Sequence, residues 1–225
     1  MDMYGQKDPS LPQKGVILSS ELFLIAVSAW VLFGDLLEGV RAFGSDPEPT
    51  RNLVLFTFNV VVFGRFLLTL FYFLERRIPW EEAFSVPTAF ALYLLGFPLL
   101  ARPASTPVGL LELAGIVLFA LGSFLNTFSE YQRKRFKSDP MNKGKLYTGG
   151  LFALSMHPNY FGDLLWVSGY ACVTHNPYSA LIPAFLFCFF YFYNVPKLDA
   201  HLRERYGQSF VDYERRTKRL IPFVL

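Results

Sequence analysis

The stretch Leu53–Leu74 reads LVLFTFNVVVFGRFLLTLFYFL and contains a single charged residue, Arg65. An α-helix rises about 1.5 Å per residue and the hydrocarbon core of a bilayer is about 30 Å thick, so about 20 apolar residues cross it. Leu53–Leu74 is therefore predicted to be a transmembrane helix. A helix is expected because an open strand would leave its backbone N–H and C=O groups without partners in lipid.

Five further apolar segments flank this one: Val16–Leu37, Phe84–Ala101, Val108–Phe128, Tyr160–Val173 and Tyr178–Val195. The 225-residue chain is 52% hydrophobic and 17% charged, against about 25% charged residues in an average soluble domain. The predicted fold is all-α, a polytopic transmembrane helical bundle of about six spans with a cytosolic C-terminal helical tail. Residues 1–15 are polar and are expected to form an exposed N-terminal tail.

Basic residues are concentrated in two regions, one between the fourth and fifth segments and one after the sixth. An even number of spans separates them, and positively charged loops stay on the cytosolic side, so both regions are predicted to face the cytosol. This charge placement indicates the cytosolic side and does not name the membrane. The net charge of +3 is too small to indicate nucleic-acid binding. The sequence shows neither a metal-ligand spacing nor a phosphate-binding glycine loop.

A first polar cluster follows the fourth segment. Asn126 and Glu130 are four residues apart and share a helix face, which Arg133 and Lys137 continue. Such a strip could bind a polyanionic ligand, with the cations on phosphates and the amide and carboxylate on a sugar or amide group. A cytosolic loop that is basic only because of membrane topology is the alternative.

A second polar cluster, SMHPNYFGD at residues 155–163, enters the fifth segment. Pro158 suits the first turn of a helix, where its missing N–H costs little. His157, Asn159 and Asp163 would then lie at the start of that helix. A carboxylate this close to an apolar segment is unusual unless it is paired or bonded to a ligand, so a functional role is favoured here.

The tail has helix-compatible spacing over Lys197–Tyr206 and Gln208–Thr217, interrupted by Gly207. Its apolar residues could lie on anionic lipid as a basic amphipathic surface, or fold under the bundle and close a site. The pattern of residues alone does not decide between these.

Five motifs together carry a family resemblance. They are EYQRKRFK at 130–137, GGLF at 149–152, HPNYFGD at 157–163, YGQSFVDY at 206–213 and LIPF at 220–223. In order and spacing they resemble the C-terminal domain of the steroid 5-alpha-reductase family, including its uncharacterised DUF1295-type relatives and the sterol C14 and C7 reductases. The resemblance covers about Leu118 to Leu225. It implies that 16–117 forms the substrate-side transmembrane helices and that 118–225 is the cofactor-binding region.

The resemblance also implies an NADPH pocket that faces the cytosol and is closed by the tail, in the endoplasmic reticulum membrane of a eukaryote or the inner membrane of a bacterium. The positions that it assigns to cofactor binding are Asn126, Glu130, Arg133, Lys137, His157, Asn159, Asp163, Asp199, Tyr206 and Tyr213. Steroid reductases carry an Arg and a His where Leu198 and Leu202 stand, and Asp199 is a neighbour that could substitute.

The implied reaction is reduction of a C=C bond in a lipid or steroid-like substrate taken from the bilayer. The tyrosine that the family uses as proton donor falls at Val62, so Tyr72, Glu38 and Glu21 become the candidates for the acid. A methyltransferase of the isoprenylcysteine carboxyl type, which binds S-adenosylmethionine and shares the His-Pro-X-Tyr-X-Gly motif, is the alternative. The cations of 132–137 favour the reductase. A non-enzymatic membrane scaffold is the third hypothesis, and the intact polar pairs oppose it.

Overall fold

The computed structural model describes residues 8–34, 48–101 and 104–224. Helices account for most of this part of the chain, which contains no extended strand. The α-helices are α1 (Leu11–Phe33), α2 (Pro49–Leu68), α3 (Trp80–Leu94), α4 (Gly96–Ala101), α5 (Leu110–Ser138), α6 (Pro158–Thr174), α7 (Leu181–Phe189), α8 (Val195–Tyr206) and α9 (Gln208–Arg216). The predicted all-α class is confirmed.

Five helical stretches of the described chain are long and apolar enough to cross a membrane: Leu11–Phe33, Pro49–Phe73, Trp80–Ala101, Leu110–Ser138 and Pro177–Tyr206. They correspond to five of the six predicted segments. The remaining segment forms α6, whose 17 residues fall short of the roughly 20 needed for a perpendicular span. The structure is that of a multi-pass membrane protein.

Helix α1 begins at Leu11, five residues before the predicted segment. Pro12 stands in its first turn, where a proline lacks only an N–H that would be unpaired in any case. The expectation that the whole of residues 1–15 is exposed is wrong at two positions. Ser10 is buried and its hydroxyl accepts a hydrogen bond from Ile78 N at 3.0 Å, and Lys14 is also buried.

Helix α5 continues ten residues beyond Phe128, the predicted end of the fourth apolar segment, and so includes the whole polar strip from Asn126 to Lys137. Lys and Arg are good helix formers, so the helix has no reason to stop where its apolar stretch ends. Two spans also contain a single π-helical turn, at Thr69–Phe73 and at Phe190–Asn194. Such turns shift the helical register by one residue, which no spacing rule predicts.

The chain divides into two compact units. Of the described residues, the first unit contains those up to Ile116 together with Gly169–Ala180, and the second contains Val117–Ser168 and those from Leu181 onward. The division falls within α5 and within α6, so each of these helices contributes residues to both units.

In the first unit the guanidinium group of Arg51 is fully buried and bonds to several segments of the chain. Arg51 donates to three carbonyl oxygens, those of Val173 at 3.0 Å, Ala104 at 2.8 Å and Thr106 at 2.9 Å. It also lies 3.2 Å from the carboxylate of Glu112. A buried charge is tolerated when it is paired and its N–H groups are all used. Arg51 therefore holds loop ends and helix ends together within this unit.

The second unit has its own apolar core, which settles the position of the tail. Phe152 and Met156 pack against Phe210 and Tyr213 of α9, with both tail residues almost fully buried. Gly207 separates α8 from α9 with φ of 53°, a left-handed conformation that glycine adopts readily. The tail thus folds onto residues 146–156, as the resemblance implied, and two helices meet at Gly207 as predicted.

Candidate functional site

Helices α5 and α6 approach within backbone contact in the second unit. A Cβ added to Gly122 would lie 2.4 Å from the backbone nitrogen of Trp166, and one added to Gly162 would lie 2.6 Å from that of Asn126. Real Cβ atoms do not come this close, so only glycine fits at either position. The pair of glycines brings the polar strip of α5 against the first turns of α6.

Asn126 and Asp163 meet across this contact. The side-chain amide of Asn126 donates to Asp163 Oδ1 at 2.8 Å and to the carbonyl oxygen of Asn159 at 3.3 Å. Trp166 Nε1 donates to the same Asp163 oxygen at 2.7 Å. The sequence had placed these polar residues in two separate i, i+4 pairs, and the structure connects the pairs to each other.

The part of the strip toward the C-terminal end of α5 carries charged side chains. Glu130 forms an ion pair with Arg133, and it accepts a hydrogen bond from Asn159 Nδ2 at 3.3 Å. Lys137 interacts electrostatically with Arg133, with Glu130 and with Arg205 of α8. Three cationic side chains thus gather near one carboxylate at the end of α5. Arg205 was not among the predicted site residues.

His157 and Asp199 were predicted as cofactor-binding residues, and the structure places them against each other. His157 Nε2 lies 2.8 Å from Asp199 Oδ1, and both residues are buried. Arg219 Nε lies 3.0 Å from the second oxygen of the same carboxylate. No spacing rule joins residues 42 positions apart, and Arg219 was not among the predicted site residues.

Tyr213 and Tyr206 were predicted to close the pocket. Tyr213 donates its hydroxyl hydrogen to the carbonyl oxygen of Phe152 at 2.5 Å, and burial raises the pKa of its phenol. Tyr206 is half-buried and packs against the same apolar core. Both tyrosines therefore attach the tail to the loop that precedes α6.

Sequence reasoning missed Gln132. Its side-chain oxygen accepts from Leu151 N at 3.0 Å, and its amide lies against Gly150, which has φ of 56°. A Cβ at Gly150 would come within 2.4 Å of that amide. The paired glycines at 149–150 were the available signal, because a glycine pair before a helix indicates a close approach or a left-handed turn.

The acid candidates lie in the first unit or outside the described residues. Tyr72 is about half exposed in the π-helical turn that ends the second span, and Glu38 lies outside the described residues. Glu21 is almost fully buried in α1, and no described residue forms a hydrogen bond to its Oε1. The described chain also holds no group of three His, Cys, Asp or Glu side chains that could bind a metal ion.

Comparison with known proteins identifies the family. Residues 80–217 match the family model described as "Protein of unknown function (DUF1295)". The chain belongs to the DUF1295 family. This match covers more than half of the chain and includes every predicted cofactor residue.

Similarity to curated proteins points to two enzyme classes. The chain is 42% identical over 92 residues to the "Probable O-methyltransferase ustE" of Ustilaginoidea virens. It is 32% identical over 80 residues to "Protein-S-isoprenylcysteine O-methyltransferase B" of Arabidopsis thaliana. It is 30% identical over 110 residues, 49% of its length, to the human "3-oxo-5-alpha-steroid 4-dehydrogenase 2", which confirms the predicted resemblance. The matched regions are 40%, 36% and 49% of this chain and cover only 32%, 41% and 41% of these relatives.

Proposed function

We propose that this DUF1295 protein is a membrane-embedded oxidoreductase that reduces a C=C bond of a lipid or steroid-like substrate with NADPH. The observation that carries the proposal is the polar strip of α5, which runs from the Asn126–Asp163 bond to the cations around Lys137. Similarity to steroid dehydrogenases over about half of the chain supports the same class of reaction. By the rule that positive loops stay inside, this strip faces the cytosol.

The cationic end of the strip fits the phosphates of a dinucleotide. Arg133 and Arg205 both repel Lys137, and Glu130 attracts Lys137 and forms an ion pair with Arg133. Like charges gathered in this way are destabilising unless an anion offsets them. A ligand with several phosphate groups would do so, because guanidinium and ammonium groups form strong charge-assisted hydrogen bonds to phosphate oxygens.

The other end of the strip fits the sugar and amide parts of such a cofactor. Asn126, Asn159 and Asp163 are partly buried and already ordered by bonds to one another. Side-chain amides both donate and accept, and a carboxylate accepts from hydroxyl groups. Because these groups are already fixed in position, the ligand would lose less free energy to ordering them when it binds.

When bound, NADPH supplies a hydride to one carbon of the C=C bond, and the other carbon needs a proton. Tyr72 and Glu38 remain the predicted sources of that proton, with Glu21 as the buried alternative. General acids of this kind contribute about 10²- to 10⁴-fold to a rate. The residues of the strip would contribute by holding the reactants in register.

Methyl transfer from S-adenosylmethionine is the second candidate, because the similarity to ustE and to the isoprenylcysteine enzyme favours it. His157, Pro158, Tyr160 and Gly162 match the motif shared with such enzymes. S-adenosylmethionine, however, has a cationic sulfonium and no phosphate. Its one carboxylate needs fewer cations than the phosphates of a dinucleotide, so the cations around Lys137 favour NADPH and we rank methyl transfer second.

Cofactor-dependent thermal stabilisation of the detergent-purified protein tests the proposal. A ligand at 100 times its dissociation constant adds about 2.7 kcal/mol, and at about 2–4 °C per kcal/mol for a chain of this size the Tm should rise by about 5–11 °C. We expect this rise with NADPH, a smaller one with NADH and none with S-adenosylmethionine. A rise with S-adenosylmethionine alone would favour methyl transfer, and no response to any of the three would refute both enzyme candidates.

Asp163→Ala provides the matching site variant. It removes the acceptor shared by Asn126 and Trp166, so the NADPH-dependent rise should vanish while the unliganded protein still unfolds cooperatively. Asp212→Ala is the control, because it removes a carboxylate that is exposed on α9 and bonded to Gln208. An Asp163→Ala protein that binds NADPH like the wild type would exclude Asp163 from the site.

A further inference from the structure

One buried carboxylate joins three parts of the second unit that are distant in sequence. Asp199 lies on α8, and its two oxygens contact His157 Nε2 at 2.8 Å and Arg219 Nε at 3.0 Å. His157 directly precedes α6, and Arg219 belongs to the segment that follows α9. The Asp199 and His157 side chains are 5% and 3% exposed, so water does not screen this contact.

The segment around Arg219 is also attached through its backbone. Met156 N donates to the carbonyl oxygen of Lys218 at 2.8 Å, and the hydroxyl of Ser155 donates to that of Leu220 at 2.8 Å. Leu220 is fully buried. The loop before α6 is therefore held by two segments that meet at Asp199: residues 218–220 through their backbone, and α8 through the Asp199 side chain.

His157 carries this constraint into the site. Its carbonyl oxygen accepts from Phe161 N at 3.1 Å, the first hydrogen bond of the α6 turn. Its ring stacks on Tyr160, and Tyr160 stacks on Phe190 with ring centroids 4.5 Å apart. Fixing the His157 ring therefore fixes the rotation of the turn that presents Asn159 and, one turn later, Asp163.

We propose that Asp199 is a positioning residue, which holds His157 and Arg219 together and thereby sets the first turns of α6 for ligand binding. Asp199 and His157 then act on the ligand through Asn159 and Asp163 and not by contact with it. The proposal rests on the proposed cofactor site for its effect on affinity. Its effect on the turn itself is independent of any ligand.

Trp166 supplies a reporter for that turn. Its indole N–H donates to Asp163 Oδ1, and it is one of three tryptophans in the chain. Trp30 and Trp80 are 42% and 51% exposed, so replacing both by Phe leaves Trp166 as the sole tryptophan, whose emission can be excited apart from that of the tyrosines. Its emission maximum and its quenching by acrylamide then report whether the Asp163 carboxylate is still in place.

In this background we would compare Asp199→Asn, Asp199→Glu and the control Asp212→Asn. Asp199→Asn keeps an acceptor for His157 but loses the charge that attracts Arg219. We expect it to raise acrylamide quenching of Trp166 at least twofold and to weaken NADPH binding about tenfold, with partial recovery in Asp199→Glu. Asp212→Asn, which removes an equal charge from the exposed face of α9, should change neither quantity.

The outcomes separate the two proposals. If Asp199→Asn leaves Trp166 emission, quenching and NADPH affinity unchanged, Asp199 does not position α6, whatever the cofactor. If Trp166 responds but the wild-type protein binds no NADPH, the positioning role stands and the proposed function fails. Should Asp199→Asn not fold, Arg219→Gln decides in its place, since Arg219 is partly exposed. A smaller shift of the same sign in Trp166 would support the proposal, and an unchanged signal would overturn it.

Discussion

Gly162→Ala should damage both the stability and the ligand response of this protein. The added Cβ would lie 2.6 Å from Asn126 N and 2.7 Å from the carbonyl oxygen of Gly122. These are backbone atoms of a helix and cannot rotate aside. To reach an ordinary contact of 3.4 Å, α5 and α6 must separate by about 0.8 Å, and overpacking of this kind costs about 1–3 kcal/mol.

That separation acts on the site as well. The Asn126–Asp163 hydrogen bond is 2.8 Å long, and a movement of about 0.8 Å along it would take it outside the range of 2.7–3.2 Å for such bonds. We therefore expect Gly162→Ala to lower the Tm by about 2–12 °C, at about 2–4 °C per kcal/mol, and to remove most of the NADPH-dependent stabilisation. Thermal unfolding in detergent with and without NADPH measures both effects.

Gly64→Ala is the matched control, because a Cβ at Gly64 meets nothing within 4 Å. In the helix interior this change should be neutral or stabilising by up to about 1 kcal/mol. If Gly162→Ala unfolds at the wild-type temperature and still responds to NADPH, the close approach of α5 and α6 does not determine the site. If both variants lose equal stability, the effect belongs to glycine replacement in general.

Two further predictions concern the cations and the tail. Lys137→Gln should weaken NADPH binding about 10- to 100-fold, as expected for the loss of a hydrogen bond to a charged group. Lys145→Gln is the control, because it makes an equal change at an exposed position and should leave the affinity unchanged. Equal NADPH affinities of the two variants in a titration would argue against the assignment of Lys137 to a phosphate. Burial raises the pKa of the Tyr213 phenol, so the folded state retains this proton more strongly than the unfolded state, and stability should fall as the pH rises above the unfolded value of about 10. Tyr213→Phe should lower the free energy of unfolding by about 1 kcal/mol at neutral pH and should make it fall less at alkaline pH. Denaturant unfolding at pH 8 and pH 11 measures this fall, and an equal fall in the variant and the wild type would contradict the prediction.

The sequence was sufficient for the parts of the fold that depend on local composition. Leu53–Leu74 was predicted to span the membrane because an apolar run of this length matches the thickness of the hydrocarbon core. Helix α6 begins at Pro158 because proline suits a first helical turn. The register changes at Thr69–Phe73 and Phe190–Asn194 were not predictable, since a π-helical turn depends on the packing around it. In the site, i, i+4 spacing identified Asn126 and Asp163 but could not show that they bond to each other.

The contact between His157 and Asp199 shows a different limit. Both residues were assigned to a ligand because the resemblance supplies positions and not partners, and nothing in the spacing suggested that the two side chains contact each other. The same holds for Arg205, which lies in the tail and interacts electrostatically with Lys137, 68 residues earlier in the chain. Sequence spacing therefore did not predict the contacts that tertiary folding creates between distant residues. These contacts decide which polar side chains remain for a ligand.

The cations around Lys137 have the greatest power to separate the two enzyme classes. The Asn126–Asp163 bond and the motif at 157–163 would serve a dinucleotide or S-adenosylmethionine equally, because both ligands carry a ribose and an adenine. A cluster that combines Arg133, Lys137 and Arg205 suits a ligand with several negative charges, and the phosphates of NADPH provide more of them than the single carboxylate of S-adenosylmethionine. The ratio of NADPH to NADH affinity, and its collapse in Lys137→Gln, therefore tests the assignment more directly than the loss of either affinity alone.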